Sequence, residues 1–500
     1  MEKQEKMLFN SIDFLIFFPI VVLLYFIIPK KTRYIWLLIS SYYFYMCWNA
    51  KYAILIAIST MITWMSGLLI EKCKSIRGKK SVVALSFIGN LGILFVFKYF
   101  DFALANLNKL LAVVNVELIS NPFDIILPVG ISFYTFQALG YTVDVYRGEL
   151  KAEKNPLRYA LFVSFFPQLV AGPIERSKNL LTQFKKIDTQ KMWNYDNAAE
   201  GIILIFWGLF MKMVIADRIA IFVNQIFMNI YAYGTIELIL GAVAFAIQIY
   251  CDFNGYSTIA IGAAKVLGFE LMENFNVPYF STSIKEFWRR WHISLSSWFR
   301  DYLYIPLGGN RKGKIRKYCN LMITFLVSGL WHGAAWTYVV WGGLHGFYQI
   351  AGEVLKPVRS KIVKWLRVDT SAFSYKFGQI IITFSLTTFA WLFFRAGSID
   401  QAIYYIQRMF TKWNPWVLFD QSLYQIGLDV IEMNVLMIAL LCLLIADLLK
   451  YKKDTSVAGF LMKQNLWFRW AVLLFFILAV LVYGKYGINF DSSKFIYFDF

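Results

Sequence analysis

The sequence predicts an all-α polytopic integral membrane protein, and three observations predict it. Hydrophobic residues make up 59% of the 500-residue chain and charged residues only 16%, whereas soluble domains carry about a quarter charged residues. Apolar runs recur from end to end, many near the length of about 20 helical residues that crosses a bilayer core of about 30 Å. Basic residues collect between those runs: 50 Lys and Arg stand against 31 Asp and Glu, a formal charge of +19. In a soluble protein that excess would suggest nucleic acid. Between apolar runs it is the pattern of cytoplasmic loops facing an anionic leaflet, so nucleic-acid binding is set aside in favour of membrane lipids.

Taken in order, strong spans are expected at 12–29, 34–50, 52–70, 81–98, 199–223, 235–251, 317–337, 375–395, 434–449 and 468–484. Shorter or broken runs at 124–141, 157–171, 255–268 and 335–354 read as spans, half-spans or re-entrant segments. The total comes to about eleven crossings. The first run, Ile12 to Ile28, has no small-residue cleavage site and is followed at once by Lys30, Lys31 and Arg33. It reads as a retained span and not as a cleaved signal. With Lys72, Lys74, Arg77, Lys79 and Lys80 after the third run, these residues put that side in the cytoplasm and the N-terminus outside.

The chain reads as one membrane domain, with N-terminal helices over 1–120, a central core over 121–355 and C-terminal helices over 356–500. The lack of an internal repeat weakens a transporter built from inverted repeats. Cys47, Cys73, Cys251, Cys319 and Cys442 are scattered without a CxxC pair, so neither a disulfide framework nor a metal site is expected. The closing FIYFDF alternates like a strand and reads from its residues as an interfacial anchor.

The stretch 273–316 is too polar to cross lipid yet dense in aromatics. Trp288, Trp291, Trp298 and Phe299 mixed with Arg289, Arg290 and Arg300 suit an interfacial helix at headgroup depth, and a plain cytoplasmic anchor without chemistry fits the composition equally well. His292 inside it tilts the reading towards function, because the chain has only three histidines. His332 ends an apolar run in FLVSGLWHGAAW; His345 follows in WGGLHGFYQ. An imidazole among membrane helices is costly unless it is paired or faces a wet cavity, and its titration near neutrality suits a general base. A histidine hydrogen-bonded to a neighbouring helix is the structural alternative.

Asp252, Asn254 and Gly255 in IYCDFNGYS are expected to break a span near its end, as are Gln168, Pro173 and Glu175 in FFPQLVAGPIERS. Broken backbone is tolerated where it lines a cavity, although capping and a loop turn explain Asn254 and Gly255 as well. There is no glycine loop for phosphates, no GxSxG elbow and no nucleotide domain that would drive a pump.

The motifs FNSIDFLIFFPIV, ISFYTFQALGYTVDVYRG, FPQLVAGPIER, YCDFNGYSTIAIG, FWRRWHISLSSWFRDYLYIPLGG and SGLWHGAAWTYVVWGGLHG occur in that order. This series resembles the membrane-bound O-acyltransferase family, and within it the bacterial branch that O-acetylates exopolysaccharides and wall glycans; FIYFDF extends the resemblance to the end of the chain. The resemblance implies a ring of tilted helices around a funnel or tunnel, in the inner (cytoplasmic) membrane of the cell. It places the family's invariant histidine on His332 and the second functional histidine of this branch on His292.

It further implies transfer of an acetyl group from cytoplasmic acetyl-CoA, with no bound cofactor, to a polysaccharide acceptor. An extracytoplasmic SGNH-type partner protein would complete the transfer. Under it His332 takes the acceptor proton or holds the acyl group covalently, while His292 orients the donor or polarises its carbonyl. Trp331, Arg300, Asp301, Asp252, Asn254 and Gln168 become candidates for donor binding or tunnel lining. Arg289, Arg290, Arg311, Lys312 and Lys314 can attract the phosphates of CoA, as ordinary positive-inside bias also explains. D-alanyl transfer to teichoic acid from a carrier-protein thioester, and a transporter or flippase without a covalent step, are the competing readings. The enzymatic reading requires that His332 be reachable from both faces of the membrane.

Overall fold

The computed structural model describes residues 7–121, 127–170, 172–189, 193–486 and 496. Among them every regular element is a helix. Seven helices are long and apolar enough to cross a membrane: Ala50–Lys72, Ile76–Val113, Tyr195–Met228, Thr235–Val266, Phe373–Arg395, Val430–Lys453 and Leu466–Tyr483. Three other expected spans form shorter or more polar helices. Ile12–Ile27 has 16 residues and Arg33–Met46 has 14, while Lys314–His332 opens on the charged residues of KIRK. The run at 124–141 begins outside the described residues, and from Ile131 it is helix to Tyr146. FIYFDF also lies outside them, apart from Ile496, which is buried.

The chain divides into two compact units. The first comprises Met1–Ile202 with Ala260–Met272. In it Ala50–Lys72 packs against both Ile76–Leu94 and Ile131–Tyr146. Polar side chains join the apolar helices: Ser59 Oγ donates to Asn90 Oδ1 at 2.5 Å, and Tyr159 OH, on the helix Pro156–Ser164, donates to Thr63 Oγ1 at 2.8 Å. Such bonds hold helices together where lipid gives no hydrophobic drive to associate.

The second unit comprises Ile203–Ile259 and Glu273–Phe500, and it carries all three histidines. Its centre is a tight hairpin of Lys314–His332 and Trp336–Val354, against which Phe373–Arg395 also packs. Glycine permits the hairpin's close approach. A Cβ on Gly342 would lie 2.3 Å from the Phe325 carbonyl oxygen, and the Cα of Gly329 is opposite it. Small residues that let backbones touch are the usual device of packed membrane helices.

Two expectations are corrected here. Thr235–Val266 is one helix of 32 residues running straight through Asp252, Asn254 and Gly255. Gly255 breaks nothing: its added Cβ would lie 2.9 Å from the Gly208 carbonyl oxygen, so it serves helix–helix contact. Nor is 273–316 a single interfacial helix. It forms Ile284–Arg290 and Ile293–Phe299, separated by Trp291 and His292. Trp288, Trp291, Trp298 and Phe299 are all buried in protein, so their rings do not face lipid headgroups as a surface anchor would.

Candidate functional site

His292 owes its position to a backbone clamp. The Asn276 N–H donates to the Arg290 carbonyl at 2.8 Å, and the Ile293 N–H donates to the Asn274 carbonyl at 2.9 Å. The two segments are held side by side, and the turn between the short helices puts His292 in the left-handed region, at φ +42° and ψ +56°. A non-glycine residue there is uncommon and is kept only where the surroundings over-determine it. Val277, a β-branched residue, is held at φ +41° in the same segment.

His332 is the last residue of its helix, and the chain turns extended at Gly333. A Cβ on Gly333 would overlap the Tyr338 ring, so the turn into the next helix needs glycine at this point.

These two imidazoles and His345 share an aromatic enclosure. The His292 and His332 rings are 6.3 Å apart between centroids. Trp331 lies 6.0 Å from His292 and 5.0 Å from His332. Trp341 lies 4.9 Å from His332 and 5.1 Å from His345. Phe253 meets His292 edge to face at 4.7 Å, and Phe394 lies 5.4 Å from His332. His332 is 3% exposed and the other two histidines are fully buried. Burial pushes the His292 imidazole down to about 3, because a cation in this apolar setting would lose its hydration. Burial thus favours the neutral ring.

The remaining candidates divide sharply. Trp331 stands within the enclosure. Asp252 and Asn254 flank Phe253 on its helix but engage other partners: Asp252 pairs with Lys212 at 2.7 Å, and the Asn254 amide faces Met211 Sδ at 3.7 Å. Arg300 is exposed and pairs with its neighbour Asp301 at 2.7 Å. Gln168 belongs to the first unit, where its amide donates to the Phe162 carbonyl at 3.0 Å. Arg290 is occupied by Glu286 at 3.0 Å, while Arg289, Arg311, Lys312 and Lys314 are exposed. Two contributors escaped the sequence reading, Asn274 and Trp341, as did the buried Lys212 that holds Asp252 away from the site. His345 was legible as a rare residue, and it proves to be as deeply enclosed as the other two.

A family model for the membrane-bound O-acyltransferases (MBOAT) matches residues 148–394, a range that contains all three histidines. The chain is 39% identical over 420 residues to a probable alginate O-acetylase of Azotobacter vinelandii, covering 83% of this chain and 80% of that protein. It is 36% identical over 440 residues to a peptidoglycan O-acetyltransferase of Helicobacter pylori, covering 81% and 80%. The chain belongs to the membrane-bound O-acyltransferase family. As an MBOAT protein it is an acyltransferase and a multi-pass membrane protein, which removes the transporter reading. It is also 30% identical over 296 residues to a teichoic acid D-alanyltransferase of Bacillus subtilis, covering 55% of this chain and 70% of that one.

Proposed function

We propose that this acyltransferase moves an acetyl group from cytoplasmic acetyl-CoA to the outer side of the membrane for O-acetylation of an extracellular or cell-wall polysaccharide. The observation that carries the reading is the pair of enclosed imidazoles, His292 and His332, within a chain 36–39% identical to O-acetylating enzymes over four-fifths of its length. The proposal includes about eleven crossings ringed around a funnel, an outward N-terminus, an inner-membrane location and an extracytoplasmic SGNH-type partner that passes the acetyl group to the sugar.

The chemistry needs little besides proton control. A thioester is already activated, so ATP has no part in the transfer step. His332 takes the proton from the accepting hydroxyl as its oxygen bonds to the acetyl carbon. The C–S bond then breaks, and the CoA thiolate leaves and collects the proton from the imidazolium. General-base assistance of this kind is typically worth about 10²–10⁴ in rate. Trp331 and Trp341 wall the site and keep out water that would hydrolyse the thioester.

D-alanyl transfer from a carrier-protein thioester is the second reading, favoured by the partial identity to the teichoic acid enzyme. Purified protein in proteoliposomes, supplied with either radiolabelled acetyl-CoA or a D-alanyl carrier protein, separates the two. The expected result is loss of label from acetyl-CoA alone. Discharge of the carrier protein with acetyl-CoA left intact would overturn the acetyl assignment.

A further inference from the structure

We propose that Asn274 is the positioning residue of this site: its side-chain oxygen holds His292 with the proton on Nδ1, so that Nε2 presents its lone pair as a proton acceptor. The inference rests on the reading that the histidine pair is the catalytic centre, and it sharpens the part that His292 plays there.

The orientation of the Asn274 amide is set by one partner whose own role is not open to choice. One of its two terminal atoms lies 3.3 Å from the backbone nitrogen of Ser294. A backbone N–H can only donate, so that atom is the oxygen. The Ser294 hydroxyl donates to the same oxygen at 2.8 Å. The amide nitrogen, on the other side, donates to Ser257 Oγ at 3.0 Å. His292 Nδ1 lies 3.1 Å from the Asn274 oxygen. An amide oxygen carries no hydrogen, so the proton in that contact belongs to Nδ1. In a neutral imidazole Nε2 is then the acceptor.

His345 supplies an internal contrast. The Trp288 indole N–H, which can only donate, points at His345 Nδ1 at 3.2 Å. That nitrogen is therefore the acceptor, and the proton of His345 sits on Nε2. Two histidines in one enclosure are held in opposite tautomers by neighbours of opposite hydrogen-bonding character. Among the described residues, His332 is a titratable group that faces His292, 6.3 Å away between ring centroids; the rings around it include Phe253, Phe275 and Trp331. A neutral His292 with its lone pair on Nε2 cannot polarise a thioester carbonyl through that nitrogen. It accepts a proton or a hydrogen bond instead.

Three histidines make the test tractable. Protein labelled with ¹⁵N-histidine is expected to show, at neutral pH, one imidazole in the Nδ1–H form that His292→Gln removes and one in the Nε2–H form that His345→Gln removes. Asn274→Ala keeps the backbone clamp but deletes the oxygen. It is expected to shift the His292 signal towards Nε2–H and to lower kcat for acetyl transfer about 10–100-fold, the size of effect known for removing the hydrogen-bond partner of a metal-ligating histidine, with KM for acetyl-CoA unchanged. Asn274→Asp restores the Nδ1–H form and part of kcat. Its carboxylate stabilises the imidazolium, so its activity is expected to fall on acidification at a higher pH than in the wild type.

A wild-type His292 signal in the Nε2–H form would overturn the proposal. So would an Asn274→Ala variant that raises KM alone. If the tautomers are as stated but His292→Gln turns over normally, it is the catalytic reading of His292 that fails, and the assignment of its proton stands.

Discussion

Two of the polar clusters buried in the second unit solve the same problem in opposite ways. Around Lys212 the solution is charge against charge. Its ammonium sits 2.7 Å from Asp217 and 2.7 Å from Asp252, and the Ile496 N–H donates to the other Asp252 oxygen at 2.9 Å. Lys212 lies in a π-helical segment, Phe210–Ala216, whose wider turn re-aims side chains. Around the histidines the surroundings are aromatic rings, and one amide and one indole fix the protons of His292 and His345. A locked ion pair is poorly suited to exchanging protons, since moving one leaves a buried charge alone. A neutral imidazole among rings can take up a proton and return it. On the function proposed above, the charged cluster is scaffold and the histidine cluster is machinery.

Substitutions can break that contrast. Lys212→Met would leave Asp217 and Asp252 facing each other without a cation, and stranding a buried charge costs about 3–5 kcal/mol. Most of the protein is expected to fail to fold or insert, as size-exclusion profiles in detergent would show. A monodisperse variant with wild-type thermal stability would contradict the scaffold role.

Gly342→Ala is a smaller perturbation that acts on the machinery. Its methyl group would press on the Phe325 carbonyl and separate the hairpin at a cost of about 1–3 kcal/mol. It would also move Trp341 away from His332. Acetyl transfer is expected to drop further than the melting temperature alone accounts for; full activity would mean that the hairpin's spacing is irrelevant to the site.

The smallest effect is expected in the first unit. Burial raises Glu175 to about 7, although the Met272 N–H and Asn179 donate to its carboxylate. With its folded value above the unfolded value of about 4.3, its contribution to stability is complete below about 4.3. That contribution is lost as the pH rises through about 7. The melting temperature of the wild type is expected to fall between about pH 5 and pH 8, and Glu175→Gln should flatten that slope. An unchanged slope would remove Glu175 as its source.

Much of this was legible in the residues, and what was not has a common cause. His292 and His332 stood out because imidazole is rare and costly in apolar sequence. The long spans stood out because lipid imposes length. Gly255 was misread as a helix break because a glycine beside Asp and Asn looks locally like a cap, while the helix crossing that needs it lies 47 positions away, at Gly208. Trp288 and Trp291 were misread as headgroup anchors because composition does not tell an interface from a protein interior. Asn274 gave no signal. Its role depends on the pairing of 274–276 with 290–293, a contact that no periodicity announces.

The central claim is that the histidine pair, His292 and His332, performs the transfer. Its most direct test is the single-turnover rate of acetyl release from acetyl-CoA by His332→Gln, a variant close to histidine in volume, measured beside its thermal melting in the same detergent. The expected result is a rate lower by about 10²–10⁴ with melting essentially that of the wild type. A stable His332→Gln protein that releases acetyl at the wild-type rate would contradict the account.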